Sequence, residues 1–267
     1  MANVLIEEST MSAIGNAIRE KTGKTDLILP ADMPTEIEGI ESGGSGGGQE
    51  LLDAMIDRSI TEVSSNATSI GDYVFNGCES LTTANIPLVT SIGNNAFNGC
   101  KNLTTADFPL VTSIGNNAFD GCESLTTANF PLVTSIGTSD FIYCKNLTTV
   151  NMPLVTSIGS YAFRVCENLT TADFPVATSI GSYAFNGCAK LKILILRKTE
   201  EVCTLSNKNA FSSTPIVSGT GYIYVPSALI EQYKVATNWS TYATQFRALE
   251  DYTIDGTVTG ELDETKI

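Results

Sequence analysis

Over most of the chain, large apolar side chains return at fixed intervals with polar positions between them. Leu81, Leu103, Leu125, Leu147, Leu169 and Leu191 stand 22 residues apart, and so do Phe75, Phe97, Phe119, Phe141, Phe163 and Phe185. Residues 103–122, LTTADFPLVTSIGNNAFDGC, repeat the preceding LTTANIPLVTSIGNNAFNGC at 17 of 20 positions. A fixed period of about 20 to 50 residues is the mark of a solenoid, whose units bury their apolar faces only against neighbours and do not fold singly.

Within residues 125–146, LTTANFP places apolar Leu125, Ala128 and Phe130 in strand alternation with Thr127 and Asn129. This predicts a short strand parallel to its copies, about 4.8 Å away, ended by Pro131, which has no amide to give the ladder. VTSIG predicts a second extended piece, with Gly137 in a turn of positive φ. AFDGC predicts a helical turn with Phe119 and Cys122 on one side. A concave face carrying Thr and Asn or Asp is the expected product.

The strand LTTANFP, the stretch LVTSIGNNAF and the closing NGC resemble the BspA-like leucine-rich repeat of bacterial surface proteins, over residues 60–213. The resemblance implies an α/β repeat solenoid, a right-handed leucine-rich-repeat horseshoe with a parallel concave sheet, used for adhesion or receptor binding. YIYVPSALIEQYKVATNWSTYATQF (222–246) looks like the closing segment that follows such repeats. STMSAIGNAIREKTGKTDLILPADMPTEI (9–37) is similar to short leaders of bacteriophage tail-associated proteins.

Four parts follow. Residues 1–41 read as a small helical leader for attachment or oligomerisation, with Met11, Ile14 and Ile18 on one face; residues 42–48 are a flexible Gly/Ser linker. The solenoid runs over 49–213, capped at its start by QELLDAMIDR. LKILILRKTEEVCTLSNKNAFSS, which keeps the leucine and Ala-Phe landmarks without TSIG, is its terminal repeat. Residues 214–267 are a C-terminal capping segment and tail.

Charge narrows the function. With 15 basic and 29 acidic residues the net charge is −14, and no part of the chain is basic, which argues against nucleic-acid binding by counterion release. No apolar run is long enough for membrane insertion. MANVLIEESTM lacks the basic and apolar parts of a secretory signal, so no signal peptide is visible. A BspA-like surface protein would normally show one. The expected location is a virion tail or a bacterial cell surface.

Candidate chemistry is sparse. Cys78, Cys100, Cys122, Cys144, Cys166 and Cys188 share one phase of the repeat and predict a buried thiol column, whereas Cys203 lies outside it and is the one thiol expected to react. The sequence has no histidine and no CxxC pair, so neither a zinc site nor a histidine-activated nucleophile is expected. The acids of the column Asn85, Asp107, Asn129, Asn151 and Asp173 stand three coils apart, roughly 14 Å, whereas glycosidase pairs need about 5 to 9.5 Å. Glu79, Lys101, Glu123, Lys145 and Glu167 alternate in sign, a register device that avoids like-charge stacking.

The reading is therefore of surface rather than reaction: no enzyme, no cofactor and no metal. Near-identical coils at constant pitch suit an extended or repetitive ligand, a cell-surface glycan or protein, presented by the leader on a phage tail or other assembly. The alternative is a structural spacer or assembly protein without a ligand of its own. Most units put Asn-Gly or Asp-Gly between the buried Phe and Cys, but two adjacent units carry Ile142 with Tyr143 and Arg164 with Val165. If these face outward they form an apolar, aromatic patch with one arginine, for a partner or a second subunit. Asp140, where other units have Ala or Val, and Tyr161 depart from the rule nearby. The competing polar site is the concave grid of Thr127, Asn129, Thr149 and Asn151.

Overall fold

A computed structural model describes residues 58–64, 67–198 and 200–251, together with the backbone of 253–254 and 257–258. The leader with Met11, Ile14 and Ile18, the linker and all but Arg58 of the expected N-terminal cap lie outside the described residues.

The alternation in LTTAN produces the expected strands. Thr83–Asn85, Thr105–Asp107, Thr127–Asn129, Thr149–Asn151 and Thr171–Asp173 each occupy one coil. The middle three pair in parallel with the residue 22 positions on, Thr105 with Thr127 with Thr149 and Ala106 with Ala128 with Val150, while Thr83–Asn85 pairs with Glu62–Ser64 and Thr171–Asp173 with Ile193–Ile195. The Ser-Ile steps build a second parallel ladder in the same register. Between the two ladders a Pro-centred turn closes each coil, as where Val133 N–H donates to Phe130 O at 3.3 Å. The chain is a parallel β-solenoid of about eight turns.

The third side of the coil corrects the expected helical turn. Among the described residues, α-helix occurs only at Pro215–Ser218 and Ile230–Val235. In the repeats, Asn95 and Gly99 take φ of 54° and 73°, which reverses the helical sense, so a helix cannot propagate. Alternate amides turn to the next coil instead: Tyr73, Phe75 and Gly77 donate to the carbonyls of Asn94, Ala96 and Asn98 at 2.9, 2.8 and 2.6 Å. The glycine of TSIG is corrected as well. Gly137 does not have a positive φ. A Cβ at the equivalent Gly159 would stand 2.3 Å from Gly137 O, so this column is glycine because coils touch there.

The core is built of columns. Phe75, Phe97, Phe119, Phe141, Phe163, Phe185 and Phe211 stack with ring centroids 5.1–5.5 Å apart. The thiols form the expected buried column, and from Cys100 to Cys188 they donate to a phenylalanine carbonyl on the preceding coil, Cys100 to Phe75 at 3.1 Å and Cys188 to Phe163 at 3.0 Å. None of the seven cysteines is in a disulfide, and Cys203 is buried like the rest. Its backbone lies under the C-terminal segment, where Trp239 Nε1 donates to Cys203 O at 2.5 Å and the Tyr233 hydroxyl accepts Cys203 N–H at 2.9 Å. Trp239 and Tyr242 close the ring column over Phe211 at 5.9 and 5.4 Å. Tyr222–Val225 and Phe246–Ala248 extend the sheet by two further parallel strands.

Candidate functional site

Each repeat holds two residues in the left-handed region. The first column is Tyr73, Asn95, Asn117, Ser139, Tyr161 and Tyr183. The second is Gly77, Gly99 and Gly121, then Tyr143 and Val165, then Gly187. Glycine enters this conformation without penalty, whereas Tyr143 at φ 62° and the β-branched Val165 at φ 63° do so at a cost of about 1–3 kcal/mol each. Neighbouring coils enforce it, because Tyr143 N–H must reach Arg164 O at 2.9 Å and Val165 N–H must reach Asn186 O at 2.8 Å, as Gly121 reaches Ile142 O.

The strained positions carry a cluster. Tyr143 is 39% exposed. The guanidinium carbon of Arg164 lies 5.9 Å from the ring centroids of both Tyr143 and Tyr161, within range of a cation–π interaction. Arg164 Nε donates to Asn186 Oδ1 at 3.3 Å, and Tyr161 stacks on Tyr183 with centroids 5.3 Å apart and planes parallel. Val165 is half-buried beside them. Ile142 is a correction: at 8% exposure it is buried, not part of the outward patch. Stacked between the coils of Asp120 and Arg164, its apolar branch is covered on both sides, and only the second residue of the pair turns out.

The polar grid lies on the exposed face of the Thr-Ala-Asn sheet, a different segment of the coil from the aromatic cluster. Thr127 and Asn129 are half-buried there, and Thr149 and Asn151 are exposed. Its amides are already linked, Asn151 Nδ2 to Asn129 Oδ1 at 2.6 Å and Asn129 Nδ2 to Asp107 Oδ1 at 2.7 Å, while Asp173 is held by Arg197 at 2.7 Å. What the grid offers a ligand is the remaining donor and lone pairs of each group.

Among the acidic and basic side chains one residue stands apart. Lys101 pairs with Glu79 at 2.7 Å and Lys145 with Glu123 at 2.8 Å, so the alternating stripe is a ladder of exposed ion pairs. Asp120 is raised above its ordinary range by burial, against the hydrogen bond from Asn98. Asp140 has no exposed surface, and burial pushes its carboxyl up to about 7. The Gly137 N–H pulls the other way, joined at longer reach by the amides of Ala118 and Asn117, but none of them closes a hydrogen bond to Oδ1. Among the described residues no three His, Cys, Asp or Glu side chains gather as a metal site would require.

The sequence matches the family described as BspA type Leucine rich repeat region, in six copies, over residues 57–170 and 112–231. The chain belongs to that family. No curated protein matches it. Among solved structures, the T. pallidum leucine-rich repeat protein TpLRR is similar at 27% identity and a TM-score of 0.53, covering 61% of this chain and 84% of its own. A leucine-rich repeat protein from Bacteroides ovatus ATCC 8483 is 20% identical with a TM-score of 0.39, covering 70% of this chain and 66% of its own. A leucine rich cell surface protein from Faecalibacterium prausnitzii A2-165 is 26% identical with a TM-score of 0.38, over 70% and 58%.

Within this BspA-type repeat the signal for the strained column was present in the sequence. The glycine recurring before each column cysteine marks a position that needs positive φ, and Tyr143 and Val165 stand in its place. Tyr183 carried a signal of its own, since it stands 22 residues after Tyr161 in the same SIGSYAF phrase and joins the cluster by stacking on it.

Proposed function

We propose that this chain is a non-enzymatic adhesion or receptor-binding module that recognises a cell-surface glycan or protein through Tyr143, Arg164 and Tyr161. The observation that carries the reading is the strain: two adjacent coils give up glycine at a left-handed position, and one of them displays a tyrosine beside a guanidinium. Strained backbone persists where the surroundings enforce it, and it clusters at functional sites. Tyr and Arg are also the side chains that most often anchor binding surfaces. A spacer holding its ends apart gains nothing from the departure. The family resemblance to bacterial surface proteins supports display at a cell surface. The leader, with Met11, Ile14 and Ile18, is the candidate attachment part, on a bacterial surface or a phage tail.

Biolayer interferometry against immobilised bacterial envelope and purified wall polysaccharide tests the reading. The wild-type chain is expected to bind, and Tyr143→Ala with Arg164→Ala to weaken binding about tenfold or more, a loss of about 1.4 kcal/mol. Undiminished binding by the double variant moves the site to Thr127, Asn129, Thr149 and Asn151. Absence of wild-type binding to every envelope preparation leaves the spacer.

A further inference from the structure

A second feature lies away from the aromatic cluster, at the corner where each coil turns from one ladder to the other. The residue after each proline there is apolar and outward. Leu88 is 46% exposed, Leu110 and Leu132 are exposed, Leu154 is half-buried and Val176 is 39% exposed. The turn enforces this, since the next amide donates back three residues at 3.2–3.3 Å in every one of these coils. Proline presets the second turn position, and the residue after it lies at the apex. Two places further on, Thr90, Thr112, Thr134 and Thr156 are exposed. The hydroxyls of Thr90, Thr112, Thr156 and Thr178 are engaged with carbonyls of the preceding coil at 3.0–3.3 Å, so they are not free for a polar partner to bind first. The result is a ridge of five rungs, roughly 19 Å long at about 4.8 Å per coil.

Two properties of the ridge identify its occupant. The first is pitch. An irregular surface meets one or two rungs, whereas a surface that presents an apolar group once per coil meets all five, and another copy of this chain is such a surface. The second is charge. The chain carries −14, yet residues 87–92, 109–114, 131–136, 153–158 and 175–180 contain no charged side chain. The ridge is therefore a face on which two acidic copies can meet without burying like charges.

We infer that two copies of this chain associate through this ridge about a two-fold axis at Leu132. The rotation sets Leu110 against the partner's Leu154 and Leu88 against the partner's Val176, and an isologous contact of this kind closes at two copies. Five rungs fall short of the about 800 Å² per partner of a standard stable interface, so the dimer is reversible and concentration-dependent. Salt strengthens it by screening the net repulsion.

Sedimentation velocity of the full chain across a concentration series, at low and high salt, measures the association. Leu110→Lys with Leu132→Lys is expected to weaken it at least tenfold with unchanged circular dichroism, because both side chains are exposed in the single chain. Single-cysteine variants read the axis. Since the seven native thiols are buried, Leu132→Cys is expected to form an interchain disulfide under mild oxidation and Leu88→Cys is not. A monomer at every concentration overturns the inference, whether or not the new thiol of Leu132→Cys is open to a soluble reagent. A dimer indifferent to the lysine pair and uncrosslinked at position 132 overturns it equally and moves association to Met11, Ile14 and Ile18.

Discussion

Asp140 accepts the backbone N–H of Gly137 through Oδ2 at 2.6 Å, and this bond interrupts the Ser-Ile ladder. In the other coils the same glycine amide reaches the preceding isoleucine carbonyl, Gly115 to Ile92 at 2.8 Å and Gly159 to Ile136 at 2.9 Å. Where Asp140 captures it, the ladder separates into Ser69–Ile70 through Ser113–Ile114 and Ser135–Ile136 through Thr204–Leu205. Oδ1 is left buried without a partner. The interruption falls on the coil that also carries Tyr143, so costly departures from the repeat gather in one place, as they do where function and stability compete.

The buried carboxyl makes stability depend on pH. Its pKa rises from 3.8 unfolded to about 7 folded because burial penalises the anion. The folded chain then holds a proton that the unfolded chain has lost, so the contribution is full below about pH 4 and is lost as pH rises through about 7. The whole interval corresponds to roughly 4 kcal/mol. Asp140→Ala is expected to raise the urea midpoint, by more at pH 8 than at pH 5, and to let Gly137 rejoin the ladder. A variant less stable than wild type at pH 8 contradicts this account.

Relief of left-handed strain gives the opposite pairing of stability and binding. Val165→Gly and Tyr143→Gly are each expected to stabilise the solenoid by about 0.5–1 kcal/mol, the released strain being partly offset by the greater freedom of glycine in the unfolded chain. Tyr143→Gly should bind envelope more weakly despite being more stable. Denaturant midpoints and interferometry on the same preparations check both halves.

A soluble thiol reagent should find none of the seven cysteines in the native chain and all of them in denaturant. Burial pushes the Cys203 thiol up to about 12 and raises Cys122 well above its ordinary value, so exposure and thiolate are both withheld. Rapid native labelling at any column position would mean that the coils open there.

The C-terminal segment is expected to clamp the last coils. Trp239→Ala removes a fully buried ring that touches Phe211, Tyr233 and Phe246, and it leaves Cys203 O without its indole donor. A loss of about 3–5 kcal/mol follows. Because each coil is supported by its neighbours, hydrogen exchange should rise first in the coils of Phe211 and Phe185. Uniform loss across the solenoid would argue against a local clamp.

How far the sequence could be read depended on what fixes each feature. The Leu, Phe and Cys columns and the parallel pairing of Thr105 with Thr127 follow from identity between units, because equal residues 22 apart on a stacked chain must meet equal neighbours. The aromatic cluster was half legible: Tyr143, Arg164 and Tyr161 stand out as departures from the phrase, but nothing in the chain says that Ile142 turns in while Tyr143 turns out.

The sequence by itself determined the period, the columns, the parallel ladders and the coils that differ. Tertiary structure alone decided that the Phe-to-Cys segment is a ladder of left-handed turns rather than a helix, that the TSIG glycine answers to close approach rather than to φ, that Cys203 is covered, and that Asp140 opens a ladder. Three of the four share a reason: each depends on which atom a backbone amide or a Cβ meets a few ångströms away across the stack, between residues about 22 or more apart in the chain. The fourth is local in sequence, three residues from Gly137 to Asp140, but the capture matters only because the same amide would otherwise have joined the neighbouring coil.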